Sequence, residues 1–169
     1  MSFLNIVKNM RLSRKSEYGL RALIELTKAY DRSPLRRSDI AESQQIPVGF
    51  LETILLELKR AGILGSRPGV QGGYRLIKPP EDVSLGQVIR ILDGPLAPIA
   101  CVSQTAYQTC QDCPYSEDRE CPIQSVMFEV RNAVANVLDR YTLRAFYDQG
   151  RNRRLRKSSK HRRGSTRGQ

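Results

Sequence analysis

Tryptophan is absent from this sequence, histidine occurs once, and aromatic residues fill only 7% of its 169 positions. No apolar run approaches the roughly 20 residues a membrane-spanning helix needs, which argues against an integral membrane protein. The stretch Phe3-Leu4-Asn5-Ile6-Val7 is too short and too interrupted for a secretory leader, so a cytoplasmic location is expected. The lone histidine, His161, stands in a polar, basic stretch. Histidine-based triads, acid–base pairs and three-histidine zinc sites therefore lack their residues, and no enzyme is expected. What remains is ample for a folded chain: 40% of residues are hydrophobic and 27% charged.

Acidic residues are the scarce charge, 17 against 28 lysines and arginines, for a net +11. The excess is uneven. Residues 151–169 carry nine basic residues and no acid, and residues 10–80 carry 13 basic against 7 acidic. Residues 81–150 reverse the sign, with 5 basic and 10 acidic. A basic front, an acidic middle and a polycationic end point to a polyanion partner, although a basic tail can also serve solubility alone.

Hydrophobic spacing predicts a helix over 12–30, with Tyr18, Ala22, Leu23, Leu26 and Tyr30 on one face. A short helix follows from Ser38, the expected N-cap. Gln44-Gln45-Ile46 turns the chain into Pro47, which suits a first helical turn. A third helix runs to about Arg60 with Leu51, Ile54, Leu55 and Leu58 buried, closed by Gly62. Two strands near 63–67 and 74–77 flank the glycine-rich tip Pro68-Gly69-Val70-Gln71-Gly72-Gly73. Ser84-Leu85-Gly86-Gln87 has capping-box spacing ahead of another helix. From Pro122 a long helix carries Ile123, Val126, Met127, Val130, Val134, Val137, Leu138 and Tyr141 at a period near 3.5. After Gly150 apolar residues almost vanish, and a disordered tail is expected.

Helix, short helix, turn, longer helix and glycine-rich hairpin make the winged helix-turn-helix pattern. In such a unit the third helix enters a major groove while hairpin and flanking cations meet phosphates. The same unit can also serve protein contacts, which the basic charge of this half disfavours. Candidate DNA contacts are Arg11, Ser13 and Lys15 ahead of and within the first helix, and Val48, Gly49, Phe50, Glu52 and Thr53 on the third. Ser66, Arg67, Gly69 and Gln71 are the candidates on the wing.

The four cysteines follow the pattern Cys101-x8-Cys110-x2-Cys113-x7-Cys121 within a proline-rich loop. Clustered thiols in a reducing compartment point to metal, and thiolates are soft ligands that suit iron–sulfur clusters and zinc alike. Spacing leaves cluster, structural zinc and free thiols open. A thiol redox enzyme is disfavoured, because Cys110 and Cys113 lie in a loop with no histidine near in sequence.

Several motifs carry a more specific resemblance. They are Met10-Arg11-Leu12-Ser13, Asp39-Ile40-Ala41-Glu42, Phe50-Leu51-Glu52, Lys59-Arg60-Ala61-Gly62-Ile63-Leu64, Gly69-Val70-Gln71-Gly72-Gly73-Tyr74, Pro79-Pro80-Glu81 and Ser84-Leu85-Gly86. In this order they resemble the Rrf-two family of transcription regulators, the family of IscR, NsrR, RirA and CymR. One departure is Pro68, where the family often has arginine before the first wing glycine; Arg67 is placed to take over that contact.

The resemblance implies a homodimeric DNA-binding regulator that reads a near-palindromic operator and dimerises through the long helix. It further implies an iron–sulfur cluster, [2Fe-2S] or [4Fe-4S], on the cysteines, sensing iron, redox state, nitric oxide or cluster supply. The alternative is a DNA-binding regulator with structural zinc or reduced thiols. For the fourth ligand the resemblance leaves two sets: all four cysteines, or three with Glu17 from the partner subunit. IscR uses a histidine where this chain has Gln124. Cys101 and Cys121, at the loop ends, are expected to be the hardest ligands to replace, with Cys110 and Cys113 partly interchangeable.

The expected fold is mainly α with a small β-wing, a winged helix-turn-helix domain plus a long dimerisation helix. Its divisions are an extension at 1–9, the DNA-binding domain at 10–80, a connecting helix at 81–100, the cysteine loop at 101–121, the dimerisation helix at 122–148 and the basic tail at 149–169. The extension is expected because Met10-Arg11-Leu12-Ser13 looks like the family's usual beginning.

Overall fold

Helix α1 spans Arg14–Lys28 and is capped by Ser13, whose Oγ accepts the Ser16 N–H at 3.1 Å. Leu20, Leu23 and Leu26 come one turn apart and are buried. The computed structural model describes residues 12–69, 71–110, 113–115 and 121–164. The expected extension at 1–9, Arg11 and Val70 lie outside them.

Helix α2, Arg37–Gln44, begins one residue before Ser38, so Ser38 is not its cap. Its hydroxyl bonds to Asp39 instead. The start is set by the chain just upstream. Leu35 exchanges two main-chain hydrogen bonds with Tyr74, at 3.0 and 2.8 Å, which holds this segment extended until Arg36. After α2, Gln45 takes a left-handed conformation (φ 49°, ψ 51°) and the Ile46 N–H returns to the Ala41 carbonyl at 2.9 Å. The chain thereby re-enters helix at α3, Val48–Arg60. Leu51, Ile54, Leu55 and Leu58 of α3 are wholly buried. Each contributes about 1.5–3 kcal/mol by leaving water, more than any cap or surface pair in this unit.

Gly62, at φ +71°, stops α3 and hands the chain to an antiparallel hairpin. Its strands are β1, Leu64–Arg67, and β2, Gly73–Leu76, paired Leu64 with Leu76 and Arg67 with Gly73. A Cβ at Gly73 would stand 2.3 Å from the Leu35 carbonyl oxygen, so only glycine lets the Leu35 segment lie against the wing. Helix α4, Leu85–Asp93, is capped by the Ser84 hydroxyl on Gln87 N–H. A single 3-10 turn, Ala100–Val102, opens the cysteine loop.

The long C-terminal helix of the sequence reading is two helices. Helix α5 is Pro122–Arg140 and α6 is Leu143–Gly164. The stripe period runs on through Tyr141, but tertiary pairing breaks the helix there. The Tyr141 carbonyl accepts the Leu85 N–H at 2.8 Å, and Leu143 N–H donates to the Val83 carbonyl at 2.9 Å. Thr142 Oγ1 then accepts the Ala145 N–H, starting α6. The expectation of a disordered tail is likewise corrected, since α6 runs to Gly164. Arginine, lysine and leucine are good helix formers, and neither glycine nor proline interrupts 151–163.

Helices α1, α3, α4, the sheet and the start of α6 share one core, with Leu143 1% exposed at its edge. Helix α5 is tied to it by Arg90, which donates to both oxygens of Asp139 at 2.6 and 2.8 Å. The same guanidinium holds the Asp139 carboxyl below the usual carboxylate range. A depressed folded-state pKa contributes stability above the unfolded value near 3.9, and that stability is lost as pH falls through the folded value. Both side chains are partly exposed, so screening keeps the pair small. Asp139→Asn is expected to cost about 0.5–1 kcal/mol in urea unfolding at pH 7, and progressively less as the pH is lowered through the folded-state value.

Candidate nucleic-acid interface and thiol centre

The start of α3 faces out of the core. Val48 is 47% and Phe50 44% exposed, although both are apolar and stand on a helix otherwise buried along one side. Phe50 is held by an edge-to-face contact with Tyr18 (centroids 5.7 Å, 87°), and the Arg21 guanidinium lies over the same Tyr18 ring. Thr53 Oγ1 donates to the Gly49 carbonyl within its own helix. Glu52 is paired with Arg37 of α2. Reading a base with Glu52 therefore requires releasing Arg37.

Ser66, Arg67, Gly69 and Gln71 are exposed on the wing, and Gly69 has φ +98°. A cleft of about 340 Å³ joins helix to wing, lined by Val48, Gly72, Gly73 and Tyr74 and by Arg36, Arg37 and Ser38. Arg36 and Arg37 are the cations that sequence reasoning left out of the candidate set. Their adjacency was visible in sequence, but the Leu35–Tyr74 bridge that carries them to the wing was not. Two predicted contacts, like Glu52, also have partners within the protein. Ser13 caps α1 and binds Asp93, and Lys15 makes a 2.7 Å ion pair with Glu57 of α3.

The cysteines separate by environment. Cys101 is buried on the 3-10 turn, and its sulfur lies 3.6 Å from that of Cys110. Burial, then the hydrogen bond and charge of Cys110 and the charge of Cys121, push the Cys101 thiol up to about 11. So protonated a thiol is a weak nucleophile, which disfavours thiol-enzyme chemistry. Cys121 is half-buried at the N-cap of α5, and Cys113 is exposed. Gln124 donates to the Cys101 carbonyl at 3.3 Å, fastening the turn to α5. Cys110 thus sits with Cys101.

Among the described residues no three histidine, cysteine or carboxylate side chains already converge as a metal cage. Two thiols in contact and a third within electrostatic reach are nonetheless a soft donor set, which fits iron or zinc. Glu17 is exposed on α1, 3.8 Å from Arg21, and lies outside this thiol group.

A family model described as Rrf2, iron-dependent transcriptional regulator, matches residues 12–149. The chain belongs to the Rrf2 family. An rrf2-like HTH-type transcriptional regulator of Rhodobacter capsulatus is 42% identical over 135 residues, covering 78% of this chain and 89% of that protein. Among solved structures, CymR, the global cysteine regulator of B. subtilis, superposes with a TM-score of 0.68 at 29% identity, over 83% of this chain and 98% of CymR. IscR of T. potens does so with 0.65 at 26%, over 85% and 90%. Rrf2 members are transcriptional regulators, not enzymes, and the helical fold with a two-stranded wing agrees with the winged-helix architecture of these neighbours. Among the described residues no helix is long and apolar enough to cross a membrane.

Proposed function

We propose that this Rrf2 regulator acts as a homodimer, binds a near-palindromic operator through α3 and the wing, and senses its signal through Cys101, Cys110 and Cys121. The observation that carries the sensor is the Cys101–Cys110 contact at 3.6 Å, with Cys121 within electrostatic reach at the head of α5. Those residues would hold an iron–sulfur cluster, with Cys113 or the partner subunit's Glu17 as the fourth ligand. Such a group, when bound, supplies a centre sensitive to iron supply, oxidants and nitric oxide. The chain's own part is mechanical. Cys101 and Cys121 stand where the loop meets α5, so a change at the thiols bears on the helix whose exposed stripe would join two subunits. The spacing of two recognition helices then follows.

A second reading draws on the same contact. Two thiols this close can close a disulfide when an oxidant such as peroxide takes their two electrons and two protons, with no metal involved. Anaerobic purification with iron, sulfide, zinc and absorbance measurements separates the two. A brown protein with sulfide is expected, and Cys101→Ser, Cys110→Ser and Cys121→Ser should each bleach it, with Cys113→Ser and Glu17→Gln milder. Stoichiometric zinc without sulfide, or a colourless protein that forms the Cys101–Cys110 disulfide with peroxide, would remove the cluster and leave DNA binding standing.

On the DNA side, Arg67→Ala should weaken operator and random DNA alike and reduce the salt slope by about one. Thr53→Ala and Glu52→Ala should alter base preference by about 1–3 kcal/mol. Glu52→Ala should in addition free Arg37 and raise affinity for random DNA. Equal losses on both DNAs for all three variants in fluorescence anisotropy would sink the base-reading role of α3.

A further inference from the structure

Arg131, midway along α5, carries a charge that neither DNA binding nor the thiols use. It is 5% exposed, and its Nε has no hydrogen-bond partner. Its marked contact among the described residues is the Phe128 ring, 4.5 Å from Cζ. Withdrawing a guanidinium from water is costly unless an anion shares the site, and a cation–π contact offsets only part of that cost. Arg131 lines a cavity of about 660 Å³ between the loop after Cys101 and the first half of α5, within the size range of small-ligand sites.

The lining defines the missing partner. Phe128 and Val102 give the cavity an apolar wall, and Ser103 and Gln124 add polar groups. Among the described residues the lining has one cation, Arg131, and one carboxylate, Glu129. A single buried guanidinium matches one negative charge in the fork geometry of a carboxylate. A phosphate dianion would need a second cation and would meet Glu129. The apolar wall calls for an organic body, and the volume exceeds that of a bare ion. A partner subunit is the poorer candidate. At about 100° per residue, Phe128 lies about 140° around α5 from Ile123, away from the exposed stripe. Arg131 is, besides, covered by its own chain.

We propose that this cavity binds a small organic monocarboxylate, its carboxylate paired with Arg131 and its body against Phe128. Cys101 also lines this cavity, so a cluster or zinc held on that thiol would share it with the carboxylate, and protein with and without metal is titrated separately.

The test titrates benzoate, butyrate and inorganic phosphate separately into full-length protein, by calorimetry and by nitrogen-edited NMR of the Arg131 Nε–H. Benzoate or butyrate is expected to bind once per chain and shift that resonance. Arg131→Gln should weaken binding by at least about tenfold, Arg131→Lys by less, and Arg140→Gln not at all. Should Arg131→Gln fail to fold, the wild-type resonance and a Phe128→Leu variant decide. No shift with either carboxylate at about 10 mM overturns the proposal. So does phosphate binding alone, which would make the site one for an inorganic anion. Loss of dimer in Arg131→Gln with carboxylate binding unchanged would assign Arg131 to the subunit interface instead.

Discussion

Deleting residues 151–169 is expected to lower affinity for every DNA by about 10²–10³ at about 0.1 M salt while leaving the ratio of operator to random binding intact. The segment holds nine of the 28 basic residues and no acid. Each phosphate contact adds about 0.9 to the salt slope. Eight of the nine lie within α6, and on a helix only the residues of one face reach a given row of phosphates, so about half of the eight can act together. The slope should therefore fall by about four. The cut falls outside the core: Leu143 is buried and Phe146 packs against it, whereas Arg151, Asn152 and Arg153 are exposed. Anisotropy titrations from about 50 to 200 mM salt on both DNAs measure both quantities. A lost operator preference with an unchanged slope would give α6 a groove-reading role instead.

Val126→Glu and Val134→Glu should convert the protein to monomer and abolish operator binding at concentrations where the parent is saturated. Ile123, Val126, Val134 and Val137 are 62%, 56%, 37% and 48% exposed on one face of α5. Four aliphatic side chains held in water along a helix are a surface awaiting cover. A carboxylate buried without a partner in the joined stripe costs about 3–5 kcal/mol, a change of about 10²–10⁴ in the dimer Kd. One subunit alone covers one half-site, and loses the second. Because these positions are exposed within the chain, its own fold should survive, with unchanged circular dichroism. Sedimentation equilibrium reads the result. A dimer that persists in both variants, still bound to operator, would move the interface off α5.

The winged unit was legible because each of its parts has a local cause. The spacing of Leu51, Ile54, Leu55 and Leu58 specifies a one-faced helix whatever it packs on. Gly62 and the glycines between Pro68 and Tyr74 allow turns that other residues resist. The cysteine spacing and the basic charge of 10–80 belong to the same category, since composition and separation along the chain are enough to read them. The family resemblance rests on these local motifs, and the match over 12–149 agrees with it.

The rest depends on residues far apart in sequence. The apolar period runs unbroken through Tyr141, so only the hydrogen bonds to Val83 and Leu85 end α5 there. Leu35 looks like a linker residue until Tyr74 pairs with it, and that pairing carries Arg36 and Arg37 to the wing. Ser13 and Lys15 look free for phosphates until Asp93 and Glu57 claim them. Arg131 falls off the apolar stripe of the helical pattern and would pass for a solvated charge, yet it is buried and shares a cavity with the loop beyond Cys101. Charge and period are properties of a residue and its near neighbours, whereas burial and hydrogen-bond partners belong to whatever the folded chain brings alongside.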